Sequence, residues 1–260
     1  MGAGILLRLY SEKGDRIPNQ LLLTASGHDS VDVFVSLWNH TNQELTIGLM
    51  ALVDEHVRNM IIDGTKEVKM FTLHFGANEV AEIPVHLALA DYSPGLHDLL
   101  FLVIRRPEEQ AAQDPGATEA FVARKSLWLG MTEYVSDDST DRGEAPYSLQ
   151  IIEAQTGRGA IRSRAFTLSP VSLAVHTQAK TWKVVTLVHY NEVDLHEHVN
   201  PGDRPDSFLV VGGLPSVPPG TREVIAILVA NPLMPITDHA GRVVHPPAVI
   251  TQRVTWVTST

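Results

Sequence analysis

Short segments that alternate apolar and polar residues, with prolines and glycines between them, constrain the fold of this chain most. In 31–37 every second residue is valine or leucine, and 80–89 alternates in the same way around Pro84. A period of two is that of a β-strand with one buried face. Prolines and glycines recur at the spacing of β-sandwich turns, and helical periodicity is scarce. We therefore expect an all-β chain, and Pro84 predicts an edge strand or a bulge.

The two halves of the chain share three features in the same order. In each half a Pro-Gly pair opens an apolar stretch, and a second proline closes it at the same distance. An apolar stretch that ends in aromatic-Asn precedes this feature, and a stretch with a basic residue before a tryptophan follows it. Three matches in one order predict a duplicated unit. The matched segments are 33–39 with 185–191, 94–107 with 219–232, and 124–129 with 252–257.

A polar stretch, 136–146, separates the two candidate repeats. It has little apolar surface to bury and contains Gly143 and Pro146, so we expect it to be a linker. The expected organisation is a first β-sandwich domain at 1–135, the linker at 136–146 and a second β-sandwich domain at 147–260.

The first half arranges its predicted strands in a familiar order. A strand at 32–38 is followed by the polar turn Asn39-His40-Thr41-Asn42, a second strand at 45–49 and later the strand led by Pro94-Gly95. This order resembles that of immunoglobulin-like modules found in tandem on microbial surface proteins. The resemblance implies two tandem antiparallel β-sandwich domains. It implies no functional residues, because without cysteine the chain lacks the Cys…Trp…Cys framework of true immunoglobulin domains.

The net charge of −10 argues against two classes of partner. An acidic surface repels phosphate backbones and anionic lipids, so we expect no nucleic-acid binding. No stretch approaches the ~20 apolar residues of a membrane span, so we expect no membrane insertion. We expect an extracytoplasmic or cell-surface location with the leader absent from this chain, although a cytoplasmic location also stays open.

Histidine is unusually frequent, with 12 residues, and its densest group lies in the second half. In 195–199 (Leu-His-Glu-His-Val) a strand would place His196 and His198 on one face, about 6.5–7 Å apart. Together with His189 or His239 they form a candidate zinc, nickel or copper site. The alternative is a solvated loop whose histidines bind no metal.

A calcium site between the domains is the second candidate metal site. Asp137, Asp138 and Asp141 would supply carboxylate oxygens, which are the ligands that calcium prefers. The spacing does not match an EF-hand loop, because Arg142 stands where that loop has glycine. The alternative is an ordinary solvated linker. Zinc and calcium are thus the candidate cofactors, beside the leading expectation that the chain needs none.

The four tryptophans offer candidate stacking surfaces for sugar rings. Most of them lie within apolar strands, and Trp128 matches Trp256 in the repeat, which favours core packing. Trp182 is close to Lys180 and Lys183, so we expect it to be the most exposed of the four.

Motifs for catalysis are missing from the sequence. It has no Gly-x-Ser-x-Gly elbow, no phosphate-binding loop and no helical His-Glu-x-x-His. The leading expectation is a non-catalytic surface module that binds a protein partner or self-assembles, for which addition of a strand at a sheet edge would be a natural mode. Two alternatives stay open: a metal- or carbohydrate-binding domain around the second-half histidines, and an uncharacterised hydrolase.

Overall fold

A computed structural model describes most of the predicted strands. The described residues are 5–10, 16–17, 23–24, 29–108, 120–129, 147–153, 165–166, 171–177, 181–199, 207–213, 220–230, 236–237, 243–244 and 249–258. Their regular structure is β-strand throughout, which confirms the all-β prediction for this part of the chain. None of the described segments is a helix that could cross a membrane. The candidate calcium ligands Asp137, Asp138 and Asp141, the whole predicted linker 136–146 and His239 lie outside these ranges.

The described residues of the first half form twelve strands in two sheets. They are β1 (Ile5–Tyr10), β2 (Arg16–Ile17), β3 (Leu23–Thr24), β4 (Ser30–Asn39), β5 (Leu45–Val53), β6 (His56–Arg58), β7 (Met60–Ile62), β8 (Lys66–Val68), β9 (Phe71–Phe75), β10 (Val80–Ala88), β11 (Gly95–Arg105) and β12 (Ala120–Leu129). The first sheet has the order β2-β1-β4-β10-β7-β8. The second sheet has the order β3-β12-β11-β5-β6, and β9 also pairs with β5.

The second half, in the part that the structure describes, forms ten strands. They are β13 (Tyr147–Glu153), β14 (Ala165–Phe166), β15 (Val171–Thr177), β16 (Thr181–Val188), β17 (Asn191–Val199), β18 (Ser207–Gly213), β19 (Gly220–Ala230), β20 (Ile236–Thr237), β21 (Val243–Val244) and β22 (Val249–Thr258). The third sheet has the order β13-β15-β18 and the fourth the order β14-β22-β19-β16-β17, while β20 pairs with β21.

The fold divides into two compact units that are not continuous in sequence. One comprises Met1–Arg106, Val122–Arg142 and Leu233–His245, and the other comprises Pro107–Phe121, Gly143–Pro232 and Pro246–Thr260. We call them unit 1 and unit 2. The predicted domain boundaries at 135 and 147 stay a prediction.

The central strands of the second and fourth sheets are buried on both faces. Every residue of 47–53 and 99–104 is buried in unit 1, as is every residue of 184–188 and 224–229 in unit 2. A strand covered on both sides needs apolar side chains at nearly every position rather than at every second one. This accounts for the continuous apolar runs in these strands. β4 and β10 alternate because one of their faces is buried and the other is largely in contact with solvent, with Ser36 as the buried exception.

Strands at matching positions in the two halves have matching neighbours. The order β12-β11-β5 corresponds to β22-β19-β16, and β1-β4-β10 corresponds to β13-β15-β18. The two described parallel pairings also correspond: Trp128 pairs with Thr24 on β3, and Trp256 pairs with Phe166 on β14. Two of the three sequence matches, those of the Pro-Gly-led strands and of the tryptophan strands, therefore fall on equivalent strands.

The third sequence match, 33–39 with 185–191, pairs strands that are not equivalent. β4 lies between β1 and β10, whereas β16 lies between β19 and β17, so the counterpart of β16 is β5. Tyr190 lies in the hairpin turn between β16 and β17 and Asn191 opens β17, while Asn39 closes β4. The pattern of an apolar strand followed by aromatic-Asn therefore occurs at two different positions of the fold, and this match does not join structural counterparts.

Candidate binding face

One face of the first sheet carries apolar side chains in contact with solvent. On β4 and β10 the residues that alternate with the core valines and leucines point away from the core. Four cross-strand pairs form this face: Trp38 with Val80, Ser36 with Glu82, Phe34 with Pro84, and Asp32 with His86. We call these eight residues the β4–β10 face.

Trp38 and Val80 are the most exposed large apolar side chains of the described residues, at 38% and 55%. They stand directly opposite each other, so their exposed surfaces are adjacent rather than scattered. The His40 ring lies against Trp38 with a centroid separation of 3.7 Å. A single exposed apolar residue is ordinary on a protein surface, whereas adjacent ones are typical of interaction sites.

Trp38 keeps its position because the next residue is firmly anchored. The Asn39 side-chain amide donates hydrogen bonds to the carbonyl oxygens of Gln43 (2.8 Å) and Gly76 (2.9 Å). Its Oδ1 accepts hydrogen bonds from the backbone N–H (2.9 Å) and the hydroxyl (2.6 Å) of Thr41. Asn39 is fully buried, and these four bonds use the full capacity of its side chain. The end of β4, and with it Trp38, is therefore fixed.

A groove of about 580 Å³ lies further along the same face. Phe34 and Pro84 lie at its centre, and Ile61 and Gly64 lie on its β7 side. Asp32 and His86 also line it, and His86 Nδ1 is 2.7 Å from an Asp32 carboxylate oxygen. The volume falls within the range of small-molecule and side-chain pockets. The groove therefore offers an apolar surface with one polar pair at its end.

The edge of β10 beside this face is open along part of its length. β7 pairs with β10 only at Val85 and His86, so among the described strands none covers the edge of 80–84 on that side. Pro84, which has no N–H to donate, stands at the point where this open edge begins. The sequence predicted an edge strand or a bulge at Pro84, whereas β10 is an inner strand between β4 and β7 with a regular register through Pro84. Pro84 is tolerated there because it lies at the end of the stretch that β7 leaves unpaired.

An Asp–His pair in unit 1 has the composition of a catalytic dyad but not the arrangement. His97 Nδ1 lies 2.6 Å from Asp54 Oδ2, and its Nε2 lies 2.9 Å from the carbonyl oxygen of Ser93. A general base needs a ring nitrogen directed at a substrate, and both nitrogens of this buried ring face acceptors of the fold. Asp54 Oδ1 also accepts the backbone N–H of Asp98, at 2.9 Å. The network therefore joins the β5–β6 turn to β11.

Each unit contains a buried arginine–carboxylate pair between equivalent strands, with equivalent carboxylate positions and arginines that differ by one position relative to the matched tryptophans. In unit 1 Arg124 on β12 donates to Asp98 on β11, with Nε–Oδ1 2.9 Å and Nη2–Oδ2 2.7 Å. In unit 2 Arg253 on β22 donates from Nε to Glu223 on β19, at 3.0 Å. Asp98 and Glu223 both stand three positions after the glycine that opens their strand. The sequence comparison missed these carboxylates, although aligning the two Pro-Gly turns would have revealed them.

The hairpin turns beside these pairs also correspond. Asp54 and Glu55 form the turn between β5 and β6, with φ of 49° and 68°, and His189 and Tyr190 form the turn between β16 and β17, with φ of 49° and 62°. The N–H of Asp54 donates to the carbonyl of Asp98, and the N–H of His189 to that of Glu223, each at 2.9 Å. Two-residue turns of this kind favour glycine at positive φ. Asp54 and His189 belong to the residue types enriched at positive φ, whereas Glu55 and Tyr190 do not, so tertiary contacts help to hold these turns.

Tyr190 in unit 2 has a strongly shifted pKa. Its hydroxyl donates to the carbonyl of Pro107 at 2.5 Å and lies 3.4 Å from Arg253 Nη2. Burial raises the pKa of Tyr190 to about 12, and the Glu223 and Glu108 carboxylates add to the shift while Arg253 opposes it. The phenol therefore acts as a neutral hydrogen-bond donor in the fold.

The raised pKa of Tyr190 predicts a loss of stability in alkali. Below pH 10 the phenol is neutral in the folded and the unfolded chain, so its contribution is complete. As the pH rises from 10 towards 12, the unfolded chain loses the proton first, and the free energy of unfolding falls by up to about 3 kcal/mol. Near-ultraviolet titration of the phenolate should show a step near pH 12 that Tyr190→Phe removes. An unchanged titration curve for this variant would contradict the assignment.

The candidate metal ligands of the second half are only partly brought together. His196 and His198 both lie on β17, as the candidate site requires, and their side chains lie outside the described part. His189 lies in the turn at the end of that hairpin. His189 follows Val188, the last residue of β16. On that strand Val188 lies four residues from Val184, which pairs with His196. The backbone at His189 is therefore at least about 13 Å from that of His196. The described residues contain no group of three metal-ligating side chains.

The tryptophan prediction was wrong in two places. Trp182 is buried, at 2% exposure, because β16 is covered on both faces. Trp38, which was expected in the core, lies on the β4–β10 face instead. The lysines near Trp182 did not indicate its exposure, because adjacent residues in a strand point to opposite faces of the sheet.

Comparison with known proteins gives no family. No family model and no curated protein sequence matches the chain. A family 123 glycoside hydrolase from Clostridium perfringens is similar over 48% of this chain and 27% of its own, at 10% identity and a TM-score of 0.31. Red sea bream transglutaminase is similar over 100% of this chain and 32% of its own, at 13% identity and a TM-score of 0.30.

A third solved structure is a PapD-like (ASH) domain of human CEP192. It is similar over 49% of this chain and 87% of its own, at 11% identity and a TM-score of 0.30. The chain spans about a third or less of the glycoside hydrolase and of the transglutaminase. Likenesses this weak carry no argument about function, so the glycoside hydrolase does not decide whether this chain is an enzyme.

Proposed function

We propose that this chain is a non-catalytic binding module made of two immunoglobulin-like β-sandwiches, and that it acts through protein–protein contacts at the β4–β10 face. The strand orders support the fold. In each half one sheet contains the strands equivalent to the first, second and fifth strands of an immunoglobulin-like domain: β1, β4 and β10, or β13, β15 and β18. The other sheet contains the equivalents of the third, sixth and seventh strands: β5, β11 and β12, or β16, β19 and β22. The repeated buried ion pairs and hairpin turns support duplication of one unit.

The observation that carries the function is the adjacent exposure of Trp38 and Val80 beside the apolar groove. From Trp38 to Asp32 the face extends about 20 Å along β4. At two strands wide, the face supplies the centre rather than the whole of one side of a protein interface of standard size, which buries about 800 Å² per partner. A small ligand in the groove would leave Trp38 and Val80 uncovered, whereas a protein surface would cover both features together.

A carbohydrate ligand fits the same residues less well. Sugar rings bind on the open face of an aromatic ring, and His40 already stacks on Trp38. A hydrolase also fits less well, because both nitrogens of the buried His97 are bonded within the fold. The proposal includes the extracytoplasmic location expected from the sequence, which cell fractionation tests.

The test compares the full chain with a Trp38→Ser/Val80→Glu double variant. Both substitutions lie on the solvent side of the first sheet, so we expect the melting temperature to change little. We expect self-association measured by light scattering, or the affinity for a purified partner isolated on the wild-type chain, to fall by at least about tenfold, since buried aromatic residues dominate interface energies. Glu44→Gln, another exposed residue of unit 1, is the control.

Two results together would refute the proposal. The first is a wild-type chain that stays monomeric at all concentrations. The second is that every protein it captures from extracts of its source cells binds the double variant with the same affinity.

A further inference from the structure

The groove on the β4–β10 face has an acidic side chain beyond each end of its apolar centre. Asp32 is two residues from Phe34 along β4, and Glu82 is two residues from Pro84 along β10. Since Phe34 and Pro84 are paired, the two carboxylate-bearing positions lie about 13 Å apart along the strands, with the apolar pair midway. Asp32 and Glu82 are both exposed.

The surroundings of the groove are also mainly acidic. Neither β4 nor β10 contains a lysine or arginine, and Asp63 and Glu67 are exposed beside the groove on the β7–β8 hairpin. Basic side chains also lie nearby, and the first is His86, whose Nδ1 is 2.7 Å from Asp32. Arg8 on β1 pairs with Ser36, and the Lys66 ammonium lies over the Phe71 ring at 5.9 Å. The chain as a whole has a net charge of −10, so long-range attraction favours a cationic partner.

We propose that the groove binds an extended, basic segment of the partner protein, with the pattern basic-x-apolar-x-basic. This rests on the proposed function and specifies the partner's chemistry. In an extended chain, side chains at positions i, i+2 and i+4 point to one side and span about 13 Å. The central apolar side chain lies on Phe34 and Pro84, while the basic side chains reach Asp32 and Glu82.

The proposal is tested by titrating synthetic peptides into the isotope-labelled full chain and following amide chemical shifts. The probe has the core Arg-Ser-Leu-Ser-Arg, and two controls carry Glu in place of Arg or Ser in place of Leu. We expect the probe to shift resonances of β4 and β10, and both controls to bind at least about fivefold more weakly. An Asp32→Asn/Glu82→Gln variant should bind the probe about tenfold more weakly, with a reduced dependence on salt.

A Glu44→Gln/Glu108→Gln variant removes the same charge from exposed positions elsewhere and should retain full affinity. The inference is overturned if the probe does not bind, or if the Asp32→Asn/Glu82→Gln variant binds it as tightly as the wild type. Failure of the proposed function itself gives a different result. In that case the Trp38→Ser/Val80→Glu variant associates with proteins as well as the wild type does. If only the inference is wrong, association still weakens in the Trp38→Ser/Val80→Glu variant but is unchanged in the Asp32→Asn/Glu82→Gln variant.

Discussion

Arg124→Met is expected to lower the free energy of unfolding of unit 1 by about 3–5 kcal/mol. The Asp98 side chain has no exposed surface, and that of Arg124 is only 4% exposed. Removing the guanidinium leaves the Asp98 carboxylate buried without the two hydrogen bonds that Arg124 donates to it. Urea unfolding followed by tryptophan fluorescence measures the effect, with Glu44→Gln as the control for an exposed charge.

The double variant Asp98→Leu/Arg124→Met separates the cost of removing Arg124 alone from the value of the pair. Replacing both partners by apolar residues also removes the buried carboxylate, so we expect the double variant to be more stable than Arg124→Met alone. In unit 2, Arg253→Met should destabilise to a comparable extent, because Glu223 occupies the position equivalent to Asp98. A loss below about 1 kcal/mol for either single variant would show that the pair is solvated in solution.

Phe101→Ala is expected to destabilise unit 1 by about 3–5 kcal/mol. Phe101 is fully buried at the centre of β11, opposite Ala51 on β5, and the small neighbour cannot fill the cavity that the substitution leaves. Phe34→Ala changes the same residue type on the β4–β10 face and should cost less than about 1 kcal/mol. Equal losses of stability for the two variants, measured by urea unfolding, would mean that the face is part of the core.

Strands that bury one of their two faces could be predicted from the sequence. The alternation in 31–37 and 80–89 falls on β4 and β10, and both Pro-Gly turns open a strand at their glycine, at Gly95 and Gly220. These features are local: side-chain period and turn chemistry are properties of short segments.

The candidate site could not be predicted in the same way. Whether an apolar residue such as Trp38 or Trp182 meets solvent depends on how many layers cover its strand, which no local pattern records. The buried charges of Asp98 and Arg124 lie within or beside apolar runs, and only their pairing across two strands explains their presence there. The histidine-rich segment 191–199, for which a solvated loop was the alternative, is an edge strand.

Site-specific photo-crosslinking from Val80 in the full chain tests the central claim most directly. A photoreactive amino acid at this position lies on the β4–β10 face beside Trp38, and the same amino acid at Glu44 is the control. If the face is a protein-binding surface, position 80 forms a cross-link to another polypeptide, either a partner or a second copy, that Trp38→Ser reduces and position 44 does not form. No intermolecular product at position 80, or the same products from both positions, would contradict the account.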